Sequence, residues 1–178
     1  PDVRRMLMTM KCQIEAMRSM LYRLAHRFDL GRRTVDEPAR LKAFNRVELL
    51  TPILKSHCSD IGYEIAVTAL QCFGGYGYIG EYPIEQVVRD MKITSIYEGT
   101  NGIQAMDLIG RKLRQKNGLL FMEWMQDALS FLASTATEGF EDESASLTKA
   151  VNALAGTAMH LSSLSGQGNL PGVFVQAS

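Results

Sequence analysis

The chain has 178 residues, a formal net charge of +0 and a hydrophobic fraction of 46%, which suits one domain with an apolar core. Balanced charge argues against nucleic acid or an anionic membrane surface as a partner, and the apolar runs are too short to span a bilayer. The three cysteines lack the spacing of metal ligands or of a disulfide framework. We therefore expect no metal and a soluble, cytoplasmic protein in a reducing compartment.

The first part of the chain predicts helices joined by turns. Apolar residues recur at helical spacing over 3–28, and again over 39–50 after a polar connection. Thr51-Pro52 predicts a second start, because proline suits the first position of a helix, and that helix is expected to end at Phe73.

Four glycines follow within residues 74–80 and predict a loop whose backbone can approach another group closely. The stretch lacks the strand and the spacing of a dinucleotide-binding fingerprint. Pro83 then predicts the start of a short helix, on which we expect Arg89 and Asp90 to form an ion pair.

The rest of the chain also has helical periodicity. A stop signal at 116–118 separates a helix after Thr100 from a helix over 119–137. An acidic turn is expected over 138–144, a last helix over 147–164, and turns over 166–172. No strand pattern stands out, so the predicted fold is an all-α antiparallel helical bundle.

The stretch 96–102, IYEGTNG, places a carboxylate where a helix begins. Thr100 is a favourable N-cap residue, and Gly99 permits a tight bend. Glu98 would then lie at the lip of a cavity, with the backbone amides of the new helix facing an anion. Glu98 is therefore the candidate general base.

Residues 69–113 closely resemble the C-terminal helical domain of the acyl-CoA dehydrogenases, since QCFGGYGY and IYEGTNGIQ match that family in order and spacing. The resemblance implies a bundle domain over 1–115, followed by a helical extension over 116–178. LLTPILKSHCSD and the extension are similar to the branch that includes 3-methylmercaptopropionyl-CoA dehydrogenases. The chain starts at Pro1, and we expect it to be a fragment.

In this family the base removes a proton beside the thioester carbonyl, a hydride passes to FAD, and a trans-2-enoyl-CoA is left. The resemblance assigns Glu98 as that base and Tyr97 and Gly99 as neighbours of the acyl-CoA thioester. The positions that match FAD contacts are Gln71, Cys72, Phe73, Gly74, Gly75, Thr100, Asn101 and Gly102. Many members have a polar side chain at the position of Gly102, so only a backbone contact is expected there.

The resemblance also implies a homo-oligomer, a dimer or a tetramer, with Gln71 to Gly75 touching the FAD of a neighbouring subunit. Electron-transfer flavoprotein is the expected acceptor. Members of the family also have an N-terminal helical domain and a middle β domain, which hold much of the flavin and the substrate. Without these two domains, this piece is expected to bind FAD poorly and to be inactive. The alternatives are an acyl-CoA oxidase, a non-catalytic helical oligomerisation module and a DNA-binding flavoprotein, the last disfavoured by the balanced charge.

Overall fold

The computed structural model describes residues 1–134 and 138–175, and each regular element within them is helical. The predicted all-α bundle is confirmed. The α-helices are α1 (Asp2–Arg33), α2 (Glu37–Phe73), α3 (Ile84–Thr94), α4 (Asn101–Asp107), α5 (Leu119–Leu132), α6 (Glu141–Gly166) and α7 (Leu170–Val175). Shorter segments are two 3₁₀ helices, Gly74–Tyr78 and Gln115–Gly118, and a π-helical turn, Leu108–Lys112.

The chain divides into two compact units, Pro1–Ala105 and the residues from Met106 onward. The point of division lies within α4. The domain boundary expected between residues 115 and 116 stays a prediction.

In the first unit, α1 and α2 form an antiparallel pair. Phe44, near the start of α2, packs edge-on against Phe28 near the end of α1, with 6.1 Å between ring centroids. At the opposite end, Cys72 Sγ of α2 lies 3.8 Å from Met6 Sδ of α1. The short connection between the helices leads directly to this arrangement.

α2 is one helix of 37 residues, and the predicted restart at Thr51-Pro52 is wrong. The Thr51 hydroxyl does not cap a new helix. It donates to the Val47 carbonyl, 2.7 Å away, within the same helix. Proline removes one backbone hydrogen bond, but Pro52 is buried and the neighbouring Leu49 is 2% exposed, so packing keeps the helix continuous.

α3 begins after Pro83, as predicted. The expected Arg89–Asp90 ion pair is wrong, because adjacent residues on a helix do not face each other. Arg89 pairs instead with Glu85, one turn earlier, at 3.3 Å. Asp90 accepts a hydrogen bond of 2.6 Å from the side chain of Gln86.

The second unit contains α5, α6 and α7. Its buried apolar residues are Leu120, Val151, Leu161 and Val173. Lys116, Asn117 and Gly118 have φ values of 51°, 57° and 83°, which confirms the stop signal before α5. The predicted helix over 119–137 ends at Leu132, and its residues 135–137 lie outside the described residues.

Two expectations for the second unit are wrong. α6 begins within the expected acidic turn, with Glu141, Asp142 and Glu143 in its first turn, where carboxylates interact favourably with the positive end of the helix dipole. α7 forms where only turns were expected, because Asn169 Oδ1 accepts from the Gly172 amide at 3.0 Å and caps it. None of the described helices has both the length and the apolar character needed to cross a bilayer.

The Asp36 cap gives a test of the first unit. Its carboxylate accepts from the Ala39 amide at 2.9 Å at the start of α2. We expect Asp36→Ala to lower the free energy of unfolding by about 1 kcal/mol in urea titrations of this chain. Asp29→Ala is the control, since exposed Asp29 lies near the end of α1, where a carboxylate is unfavourable. Equal destabilisation by both substitutions would contradict the capping role.

Candidate active-site loop

Residues 95–100, which we call the Glu98 loop, connect α3 to α4. The Tyr97 amide donates to the Ile93 carbonyl at 3.1 Å, at the end of α3. The Asn101 amide donates to the Ser95 carbonyl at 3.2 Å and closes the loop. Both ends of a short segment are therefore tied to helices, and Glu98 lies between them.

Glu98 and Gly99 both have left-handed backbone conformations, with φ values of 56° and 82°. This conformation costs an L-residue roughly 1–2 kcal/mol, so Glu98 is strained while Gly99 is not. A β-carbon at Gly99 would also lie 2.9 Å from Gln104 Nε2. Glycine is thus required at residue 99, whereas glutamate at residue 98 adopts a backbone conformation that it does not prefer.

Thr100 caps α4 as predicted, since its hydroxyl accepts from the Ile103 amide at 3.2 Å. Gln104 Nε2 lies within 3.3 Å of the Glu98 carbonyl and 3.4 Å of the Gly99 carbonyl. The amides of Asn101 and Ile103 are both used within the chain. Those two amides are therefore not available to the anion that the sequence led us to expect.

The side chain of Asn101 attaches the loop to the middle of α2. Its Oδ1 accepts from Lys55 Nζ and from Ser59 Oγ, each at 3.0 Å. Its Nδ2 donates to Asp60 Oδ1 at 2.7 Å and lies 3.4 Å from the Ser56 carbonyl. Ser59 is 5% exposed, so part of this network is buried.

Lys55 makes a second connection from α2 to the loop. Its ammonium group donates to the Gly99 carbonyl at 2.7 Å as well as to Asn101 Oδ1. Hydrogen bonds from a charged donor are about twice as strong as neutral ones. The residue directly after Glu98 is therefore held by a half-buried lysine.

α3 contacts α2 near these residues. Gly62 of α2 faces the methyl group of Met91, and a β-carbon at residue 62 would collide with it. Lys92 Nζ lies 5.2 Å from the centre of the Tyr63 ring. The close approach at Gly62 brings the end of α3, and the loop after it, within reach of α2.

The first motif lies at the far end of α2. The helix ends at Phe73 as predicted, but the glycine run after it forms a 3₁₀ helix and not an open loop. Tyr82 packs against Phe73 and Tyr76, with centroid distances of 6.4 and 5.4 Å. A β-carbon at Gly74 or at Gly75 would meet no atom within 4 Å, so this backbone is open to an approaching group.

The structure does not bring the two motifs together within one chain. The side chain of Asn101 contacts α2 between Lys55 and Asp60. The first motif begins at Gln71, eleven residues beyond Asp60 on the same helix. At 1.5 Å per residue, that separation is roughly 16 Å along the α2 axis.

Most of the predicted site residues are exposed. Tyr97 and Phe73 are 53% and 48% exposed. Glu98, Gln71, Gly74, Gly75, Thr100 and Gly102 are also exposed, while Cys72, Gly99 and Asn101 are half-buried. Among residues 1–134 and 138–175, no three His, Cys, Asp or Glu side chains are grouped as metal ligands would be.

Sequence reasoning missed the residues that hold the loop, namely Lys55, Ser56, Ser59, Asp60 and Gln104. A signal was present on α2. Lys55 and Ser59 are four residues apart, as are Ser56 and Asp60, so the four polar residues share one side of a helix. Their partner is more than forty residues later in the chain, and spacing along α2 does not identify it.

Comparison with known proteins points to a single family. The family model described as the acyl-CoA dehydrogenase C-terminal domain matches residues 1–113. A butyryl-CoA dehydrogenase of Syntrophomonas wolfei is 36% identical over 149 residues, which cover 84% of this chain and 24% of that protein. A broad-specificity linear acyl-CoA dehydrogenase of Mycobacterium tuberculosis is 36% identical over 163 residues, covering 90% and 27%.

A 3-methylmercaptopropionyl-CoA dehydrogenase of Ruegeria pomeroyi is 40% identical over 118 residues, which cover 66% of this chain and 20% of that protein. The chain thus spans about a quarter of the length of the curated relatives it matches.

The strain at Glu98 can be measured with two substitutions. Glu98→Gly removes the left-handed penalty, while Glu98→Gln keeps it together with the side-chain length. We expect the glycine variant of this chain to be more stable than the glutamine variant by about 1 kcal/mol in urea unfolding, after the entropy of glycine in the unfolded state is allowed for. Equal stabilities would show that residue 98 is not strained.

Proposed function

Because the chain belongs to the acyl-CoA dehydrogenase family, we propose that it is part of an FAD-dependent enzyme that converts an acyl-CoA thioester to a trans-2-enoyl-CoA, with Glu98 as the base. The observation that carries this proposal is the strained conformation of Glu98 in a loop held from both sides. Strain of this kind persists only where the surrounding structure enforces it, and it is concentrated at functional sites.

The proposed chemistry requires a carboxylate that becomes basic when substrate binds. A proton beside a thioester carbonyl is much less acidic than a carboxylic acid, so water must be excluded from the base. Glu98 is exposed in this chain, and its neighbours Ile96 and Tyr97 are 52% and 53% exposed. An acyl chain placed against these apolar side chains would remove water from the carboxylate and strengthen it as a base.

The residues present fit a contact with FAD. The open backbone at Gly74 and Gly75 accepts a close approach, and a β-carbon at Gly102 would meet only Thr100 Oγ1, at 3.8 Å. We propose that the segments Gln71 to Gly75 and Thr100 to Gly102 hold FAD mainly through their backbones, with Tyr97 and Gly99 beside the thioester. FAD, when bound, would accept the hydride from the substrate carbon next to the deprotonated one.

We propose that the enzyme is a homo-oligomer in which Gln71 to Gly75 contact the FAD of a neighbouring subunit. Within one chain the two motifs are roughly 16 Å apart along α2, so they contact different parts of the cofactor or different cofactors. Exposed apolar residues on α1 give a surface suited to subunit contacts. They include Val3, Leu7, Met8, Ile14, Leu21 and Tyr22.

Three further assignments belong to this proposal. Residues 1–115 form the family's C-terminal domain, and 116–178 begin an extension like that of the 3-methylmercaptopropionyl-CoA dehydrogenase branch. Electron-transfer flavoprotein is the proposed acceptor. The free thiols of Cys12, Cys58 and Cys72 are compatible with a reducing compartment such as the cytoplasm.

The role of Glu98 is tested by anaerobic mixing of acyl-CoA thioesters with the FAD-loaded full-length protein that contains this chain. We expect flavin absorbance to bleach, and Glu98→Gln to slow bleaching by at least about a hundredfold, because general base catalysis contributes that much. Glu81→Gln changes an exposed glutamate in the turn before α3 and should have no effect. Normal bleaching by Glu98→Gln would refute the proposed base.

The isolated chain is expected to bind FAD poorly. Its proposed FAD contacts are mostly exposed, and it spans about a quarter of its relatives. After incubation with FAD and gel filtration, the protein peak should carry little flavin absorbance, whereas the full-length protein should retain FAD. Stoichiometric retention by the isolated chain would contradict this expectation.

A further inference from the structure

We infer that Asn101 is a positioning residue for Glu98, and that its side chain acts by tying the Glu98 loop to Lys55 and Asp60 of α2. Sequence similarity assigns Asn101 only to a segment that contacts FAD. The inference deepens the proposed function and rests on Glu98 being the base. It assigns the side chain of Asn101 to α2 and not to the cofactor.

The first argument is the hydrogen-bonding capacity of the amide. An asparagine side chain has two acceptor lone pairs and two N–H donors. Oδ1 accepts from Lys55 and Ser59, and Nδ2 donates to Asp60 and faces the Ser56 carbonyl. The Ser59 hydroxyl has a single hydrogen and also lies 2.9 Å from the Ser56 carbonyl, so Lys55 and Asp60 are the strongest partners of the amide. All four groups surround the side chain, and a polar atom of a flavin would have to displace one of them.

The second argument is the path from Asn101 to Glu98. Lys55 Nζ bridges Asn101 Oδ1 at 3.0 Å and the Gly99 carbonyl at 2.7 Å. The Asn101 amide closes the loop on the Ser95 carbonyl at 3.2 Å. Without these contacts fewer hydrogen bonds oppose relaxation of the left-handed backbone at Glu98, a conformation that is intrinsically unfavourable. The carboxylate would then leave its catalytic position.

The third argument is the direction of the hydrogen bonds. The Lys55 ammonium can only donate and the Asp60 carboxylate can only accept. The Asn101 amide lies between them with its oxygen towards Lys55 and its nitrogen towards Asp60. The two charged residues therefore fix the orientation of the amide, which permits a test by exchange of the two side chains.

The experiment uses the FAD-loaded full-length enzyme and compares Asn101→Asp, Asp60→Asn and the double variant. Asn101→Asp keeps both acceptor bonds but sets two carboxylates against each other. The double variant restores a donor opposite an acceptor at this contact, with only the long 3.4 Å contact to Ser56 lost. Asp60→Asn alone should have little effect, because its amide oxygen can still accept from Asn101.

We expect Asn101→Asp to slow bleaching at saturating acyl-CoA by about tenfold to a hundredfold, the cost of a misplaced catalytic group. KM and the FAD content should change little, and an α-deuterated substrate should show a larger isotope effect. Amide hydrogen exchange over residues 95–100 should accelerate. The double variant should recover most of the rate and the slow exchange, which general destabilisation would not produce.

Other outcomes overturn the inference. Loss of FAD from Asn101→Asp without rescue would show that the side chain binds the cofactor, and an unchanged rate would show that it positions nothing. If Asn101→Asp does not fold, Ser59→Ala replaces it. This variant removes one donor to Oδ1 and should slow bleaching several-fold with FAD retained, whereas an unchanged rate refutes positioning. Normal bleaching by Glu98→Gln would instead remove the proposed function itself.

Discussion

The docking of one asparagine side chain onto α2 is the contact on which the geometry of the Glu98 loop depends. Asn101 is the first residue of α4, so its side-chain contacts fix the start of that helix and its amide fixes the end of the loop. The contacts of Asn101 with Lys55 and Ser59 are part-buried, which strengthens those hydrogen bonds and makes their loss costly, whereas the contact with Asp60 is exposed. A polar network of this kind specifies one loop conformation where apolar packing would permit several.

This contact relies in turn on the packing of the helices. Phe44 lies within 2.9 Å of the position that a β-carbon at Gly31 would take, so α1 and α2 approach closely only because residue 31 is glycine. At Gly62 the neighbouring atom is the terminal methyl group of Met91, a flexible side chain that can move aside, so glycine is less strictly required where α3 contacts α2. The contact of α3 with α2 and the short loop after α3 bring Asn101 to the side of α2 that carries Lys55.

The sequence predicted the helical fold, the end of α2, the Thr100 cap and the stop before α5, because each depends on residues close in the chain. It failed at Pro52, where burial of the proline overrides a local start signal. It also failed at Asp90, where the side-chain direction on the helix decides the partner. The Lys55–Asn101 network was missed for a different reason, since it joins residues 46 positions apart and neither segment alone indicates the pairing.

The continuity of α2 also limits which insertions and deletions the family can accept. One rigid helix carries both the docking site of the loop, which ends at Asp60, and the segment that starts at Gln71. Adding or removing a single residue between them would rotate one segment by about 100° around the helix axis relative to the other. The length of this interval is therefore constrained by helical phase, in addition to the packing of residues such as Gly62 and Ala66.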